Sequence, residues 1–147
     1  MKKILPPTFV LFCLISMLVL HLILPLPSFT SAMLVIAGLG FIVIGLSIAI
    51  AAEGQFRRVG TNVNTFGLPS KLVTDGWFKY SRNPMYLSFG IMLVGAWLAL
   101  GSVSSFLGIA AFIIVTNRWY IAFEERRLAE TFGGAYESYR KRTRRWL

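Results

Sequence analysis

Two short stretches carry most of the side chains able to do chemistry. One is Lys79-Tyr80-Ser81-Arg82-Asn83-Pro84-Met85-Tyr86; the other is Glu124-Glu125-Arg126-Arg127. In the first, asparagine is a favoured helix N-cap and proline suits the first helical position. The backbone N–H groups of that opening turn, reinforced by Arg82 and the helix dipole, would attract an anion. Glu124 and Glu125 would attract an ammonium or a sulfonium. A ligand carrying both a carboxylate and a cationic group is what such a pair of clusters would hold. A plainer account stands beside it: Arg82 as an interfacial anchor, Asn83 as a cap only, and the glutamates as surface partners of Arg118 and Arg127. Metal chemistry is not expected. Cys13 and His21 are each single and share one apolar run, whereas a site needs several convergent ligands. Both read as packing residues, and one cysteine cannot form a disulfide within the chain.

The elements that must position these clusters are apolar. Of 147 residues, 56% are hydrophobic with glycine left out of the count, and only 14% are charged. Soluble chains reach about 45–50% apolar even with glycine included, and about 25% charged. This composition excludes a disordered tail, a collagen-like fibre and an ordinary soluble domain. It predicts a single all-α integral membrane domain over residues 1–147, with four transmembrane helices near 8–24, 32–52, 84–100 and 103–123. The first run, led by Lys2 and Lys3 and closed by Pro25 and Pro27, has some look of a signal peptide with Ser31-Ala32 as a weak cleavage region. It exceeds the usual apolar length of about 7–15 residues and lacks an A-x-A pattern, so a retained helix is expected. Gly38, Gly40 and Gly45 in the second run would let a neighbouring helix approach closely.

Residues 53–83 change character. Gly60, Asn62, Asn64, Gly67, Pro69, Ser70, Asp75 and Gly76 punctuate them, while Phe66, Trp77, Phe78 and Tyr80 supply anchors. An ordered loop with a short interfacial helix is expected. The third and fourth runs are separated only by Gly101-Ser102, so they form a tight antiparallel hairpin. The start of one must therefore adjoin the end of the other, which brings the two polar clusters together by topology alone. The fourth helix is expected to run on from residue 124 to Phe132, with Gly133-Gly134 as its stop. A second amphipathic segment follows, and residues 124–147 with the long loop would make a cap.

The charges are one-sided. Lys2, Lys3, Arg57, Arg58, Lys71, Lys79, Arg82, Arg118 and the C-terminal basic residues all fall on one side, and the two opposite loops hold no Lys or Arg. The positive-inside rule places both termini and the long loop in the cytoplasm. The net charge of +9 then faces anionic lipid headgroups, and no nucleic-acid partner is needed to explain it. Residues 140–145 read as a lipid-facing basic patch.

Three runs of residues carry a resemblance. Phe56-Arg57-Arg58-Val59-Gly60-Thr61, Leu72-Val73-Thr74-Asp75-Gly76 and Tyr80-Ser81-Arg82-Asn83-Pro84-Met85-Tyr86-Leu87 resemble the isoprenylcysteine carboxyl methyltransferase family, relatives of the phosphatidylethanolamine N-methyltransferases. Glu124-Glu125-Arg126-Arg127-Leu128, Phe132-Gly133, Tyr136, Tyr139, Arg142 and Arg144-Arg145-Trp146-Leu147 agree with it. The resemblance covers residues 53–147, with two helices in front. It implies an S-adenosylmethionine-dependent methyltransferase embedded in a membrane, without the Rossmann glycine fingerprint, which is absent here. It also implies that Tyr80, Arg82, Asn83, Pro84, Tyr86 and Leu87 wrap the cofactor on one side. Glu124 and Glu125 would meet its amino-acid end, and Tyr136 and Tyr139 would help close the pocket. A carboxylate acceptor would be held by Arg57 or Arg127, whereas an amine acceptor would need Glu124 as base. The chain departs from the family pattern at Asn83, where many members have His, at Ser88, where many have Gly, and at Gly76-Trp77-Phe78. The acceptor is expected to be lipophilic, and the host a prokaryotic cell membrane. A phospholipid amine N-methyltransferase, an NADPH-dependent sterol-type reductase and a non-enzymatic membrane scaffold are the alternative readings.

Overall fold

The computed structural model describes residues 4–24, 26–60, 67 and 70–147. Lys2, Lys3, Pro25, Thr61, Asn62, Asn64, Phe66 and Pro69, all named above, lie outside the described residues. The chain runs through α1 (Pro6–Ile23), α2 (Ala32–Val59), α3 (Trp77–Tyr80), α4 (Pro84–Leu100), α5 (Phe106–Val115), a π-helical turn (Thr116–Ile121), α6 (Ala122–Phe132) and α7 (Gly134–Arg142). No strand occurs among the described residues; an isolated bridge joins Ser28 and Ser102. Three helices are long and apolar enough to cross a membrane: Pro6–Ile23, Ala32–Val59 and the continuous stretch Phe106–Phe132. Pro84–Leu100 is shorter and equally apolar. Large apolar side chains such as Met33, Ile36, Val43 and Ile50 point away from the protein, which suits helices surrounded by hydrocarbon.

Helix α2 extends well past the boundary that composition suggests. The loop expected from residue 53 begins only at Gly60, whose φ of 70° makes it a left-handed helix stop. The last turns stay helical because Arg57 pairs with Glu53 one turn earlier at 2.7 Å and because Gln55 is fully used. The Gln55 side chain donates to the Asp75 carbonyl and accepts from the Trp77 N–H at 3.2 Å. Gly76 sits against it with φ 57°, where a Cβ would lie 2.6 Å from Gln55 Oε1. That glycine is required by the backbone, and an added Cβ would also push the Gln55 amide aside.

α2 lies antiparallel on α4 along a seam of small residues. Gly38, Gly45 and Ala52 are the buried positions of α2, each seven residues apart; Ser88 and Gly95 meet them from α4. A Cβ on Gly38 would stand 2.5 Å from the Gly95 carbonyl, and one on Gly45 2.7 Å from that of Ser88. Backbone therefore touches backbone. Gly40 faces open space instead and takes no part.

α1 packs on the far side of the hairpin. Val10, Cys13 and Met17 bury against Leu93, Ile109 and Phe112. The hairpin turn is tied to this layer by hydroxyls. Ser105 Oγ donates to the Met17 carbonyl at 2.9 Å, Ser104 Oγ to that of Leu20 at 3.2 Å, and Trp97 Nε1 to that of Ser102 at 3.0 Å. The turn spans Gly101–Ser105, longer than the pair of residues expected, because Gly101 at φ 57° must first stop α4. α1 starts at Pro6 rather than Thr8, since prolines fit the first turn where N–H groups have no partner.

The π turn could not be read from the sequence. Buried positions step from Ile109 to Phe112 to Thr116 at helical spacing, and the next, Ile121, comes five residues later. The wider turn absorbs one extra residue, so Glu125, four beyond Ile121, continues the same face.

Candidate active site

The opening of α4, the body of α6 and the helix α7 meet at one end of the hairpin. A second core of Val73, Phe78, Tyr136 and Tyr139 supports them, with Phe56, Leu72 and Leu128 packed against it. Tyr139 is buried and its hydroxyl donates to the Phe78 carbonyl at 2.6 Å. Desolvation pushes both tyrosines' pKa up. At Tyr136 the nearby Glu125 adds to this while Arg82 opposes it. These rings hold α7 over the loop as neutral, hydrogen-bonded phenols.

After α7 the chain turns back as an extended strap, residues 143–147, along the start of α4. The Arg144 carbonyl accepts from the Arg82 N–H at 3.0 Å. The Arg145 carbonyl accepts from Asn83 Nδ2 at 3.0 Å and from Ser81 Oγ at 3.3 Å. Trp146 Nε1 donates to Asn117 Oδ1 in the π turn at 3.1 Å. Asn83 occupies the N-cap position of α4, but its side chain makes no cap hydrogen bond; its Nδ2 donates to the strap's carbonyl instead.

Beneath the strap lies an ionic cluster. Glu125 is approached by Arg82 Nη1 at 3.1 Å and by Arg145 through two nitrogens, Nε on Oε1 at 3.1 Å and Nη2 on Oε2. Arg82 Nη1 also donates to the Tyr136 hydroxyl at 3.2 Å. The Arg82 side chain is only 10% exposed, and its buried Nε has no hydrogen-bond partner. One turn away, Tyr86 donates to Glu124 at 2.8 Å.

These groups wall a cavity of about 480 Å³. Arg82, Asn83, Pro84, Tyr86, Glu124, Glu125, Arg127, Tyr136 and Tyr139 all line it, so topology and resemblance brought most of the expected set to one place. Its remaining walls are largely apolar: Leu5 to Pro7 ahead of and within α1, Phe56, Leu72, Phe78 and Phe89. Three expected residues are elsewhere. Tyr80 is 67% exposed, Arg57 pairs with Glu53 in the open, and Leu87 lines a second, apolar cavity on another face of α4. Sequence reasoning missed Glu53 and Lys71 as lining residues and Arg145 as a partner of Glu125. Arg145 was grouped with the lipid-facing basic patch; the strap's hydrogen bonds turn it inward, and nothing in local spacing signals that. Glu125, expected to await a cation, is already engaged by two arginines. Among the described residues no group of three His, Cys, Asp or Glu stands ready for a metal.

The deciding comparison is with protein families. The phospholipid methyltransferase family model matches residues 33–135, from the first turn of α2 into α7. The chain belongs to that family. The matched region contains nearly all of α2, the α4–α5 hairpin and both polar clusters; α1, most of α7 and the strap lie outside it. A Haemophilus influenzae protein described as uncharacterized is 43% identical over 63 residues, covering 43% of this chain and all of that protein. The protein-S-isoprenylcysteine O-methyltransferase of Schizosaccharomyces pombe is 38% identical over 74 residues, covering 48% of this chain and 30% of the yeast enzyme. No solved structure matches. Family membership and apolar helices together make this chain a membrane methyltransferase.

Proposed function

We propose that the chain transfers a methyl group from S-adenosylmethionine to a lipophilic acceptor at the cytoplasmic face of a membrane. The observation that carries this reading is the convergence of Arg82, Glu124 and Glu125 on one cavity whose remaining walls are largely apolar. Tyr136 and Glu125 both engage Arg82 through Nη1, which leaves the rest of that guanidinium edge for a ligand carboxylate. The cavity's mix of ion cluster and apolar wall fits a donor with a zwitterionic end and an aromatic nucleoside. Arg82 would take the carboxylate; Glu124, oriented by Tyr86, faces the ligand's cationic groups; Asn83, Pro84, Tyr136 and Tyr139 shape the walls. Bound, that donor supplies a methyl already activated on sulfur, so the protein's task is alignment, worth as much as ~7–11 kcal/mol in favourable cases.

The positive-inside distribution supports four crossing helices with both termini in the cytoplasm and the loop and C-terminal helix as a cap. Helix α4, roughly 25 Å long by helical rise, would cross with little tilt. Lys71 and Arg127 line the cavity and favour an acceptor with an anionic group, such as an isoprenylcysteine-like carboxylate. A second reading keeps the donor and takes a phospholipid amine, with Glu124 as base; the family match favours it.

The test is incubation of membranes containing the protein with methyl-labelled S-adenosylmethionine, followed by lipid extraction and mild alkali. Label released as methanol marks a carboxyl ester, and alkali-stable label marks an amine. Absence of labelled lipid, with no calorimetric binding of S-adenosylhomocysteine, refutes the reading. NADPH binding in its place would indicate a reductase, and binding of neither a scaffold.

A further inference from the structure

Resting on that reading, we propose that Arg145 is a positioning residue: by occupying the Glu125 carboxylate at two points, it frees Arg82 to receive the donor's carboxylate. Glu125 has two oxygens and two competing guanidinium groups. Arg145 engages both oxygens, whereas Arg82 approaches only Oε1, with one nitrogen. Arg82 is the more deeply buried arginine and lines the cavity; Arg145 is 40% exposed and does not. Without Arg145, Glu125 would keep Arg82 as its arginine partner. It would then turn onto the Arg82 fork, since two-point arginine–carboxylate pairing is the strong geometry. With Arg145 in place the three groups sum to one positive charge, on the arginine that lines the cavity.

The strap makes this arrangement specific. The Arg145 carbonyl is held by Asn83 and Ser81, and the next residue, Trp146, by Asn117. The backbone is fixed on both sides of the side chain, so the guanidinium is aimed rather than free to search. Asn83 thereby acts on the site through the strap.

The experiment is calorimetric titration of the full-length, detergent-purified protein with two probes. S-adenosylhomocysteine carries the carboxylate, and 5′-methylthioadenosine lacks the whole amino-acid end. Arg145→Gln should weaken S-adenosylhomocysteine at least tenfold and leave methylthioadenosine within twofold. Arg145→Lys should fall between, because lysine keeps the charge and loses the fork. The double variant Arg145→Gln with Glu125→Gln should regain most of the lost affinity, since no carboxylate remains to capture Arg82. Equal weakening of both probes, or no recovery in the double variant, overturns the proposal and leaves the strap a structural element. Wild-type protein that binds neither probe overturns the methyltransferase reading itself and this inference with it.

Discussion

The small-residue seam between α2 and α4 yields a sharp contrast between two glycine-to-alanine substitutions. In Gly95→Ala the new methyl would sit 2.5 Å from the Gly38 carbonyl and 2.9 Å from the Ile42 N–H. Ordinary contact begins near 3.4 Å, so α2 must retreat by about 0.9 Å, and backbone atoms cannot swing aside as a side chain can. Overpacking of this kind costs about 1–3 kcal/mol. For a chain of this size that lowers the melting temperature by on the order of 2–12 °C. Gly40→Ala is the internal control, because nothing lies within 4 Å of its added methyl. Helix propensity alone should make it neutral or stabilising by roughly 0.5–1 kcal/mol. The displacement also reaches the site. Gln55 and Phe56 ride on the far end of α2, and Gln55 holds the Asp75–Trp77 turn under the cavity. Thermal unfolding in detergent, followed by circular dichroism, measures the first effect, and methyl transfer to extracted lipid measures the second. If Gly95→Ala melts as high as Gly40→Ala, the backbone contact does not hold these helices together and the argument fails.

The π turn predicts opposite outcomes for a single and a double deletion. Removing the exposed Trp119 converts the turn to ordinary α-helix and keeps Glu125 on its face, so S-adenosylhomocysteine binding should survive within about tenfold. Removing the exposed Ile114 in addition leaves no surplus residue to absorb the loss and rotates everything beyond it by about 100°, so binding should vanish; equal results for the single and double deletions would refute the register argument. Tyr86→Phe keeps the ring and deletes the 2.8 Å bond to Glu124, so kcat/KM should fall about tenfold with an unchanged melting point. Tyr139 has a folded pKa raised by burial, so its contribution to stability is complete below the unfolded value of about 10 and declines as pH rises above it. Alkaline melting curves should show that decline, and Tyr139→Phe should flatten it while costing about 1–3 kcal/mol at neutral pH by orphaning the Phe78 carbonyl.

Adjacency of the two polar clusters was legible because it follows from topology. A turn as short as the one after Leu100 admits only antiparallel neighbours, and the bounds of α4 follow from Pro84 and Gly101. Where competition between partners decides the outcome, the sequence was silent. Asn83 has every qualification of a cap, yet a carbonyl more than sixty residues away claims its amide. Glu125 reads as a free anion until Arg145 arrives from the strap. The end of α2 lies beyond the expected one because Glu53 and the arginines after it look like a membrane exit, and a helix does not stop merely on leaving hydrocarbon. The extra residue of the π turn leaves no compositional trace at all. Only the jump in burial from Thr116 to Ile121 reveals it.

The strap also fixes an order of events. Its bonds to Ser81 and Asn83 span 64 and 62 residues of sequence, whereas the hairpin beneath it is local. Contacts of such separation form late, after the local hairpin has paired. Until then Glu125 has Arg82 alone of its two arginine partners. On the proposed role of Arg145, a chain whose strap has not docked would hold Arg82 against Glu125, and competence to bind would arrive only with that docking.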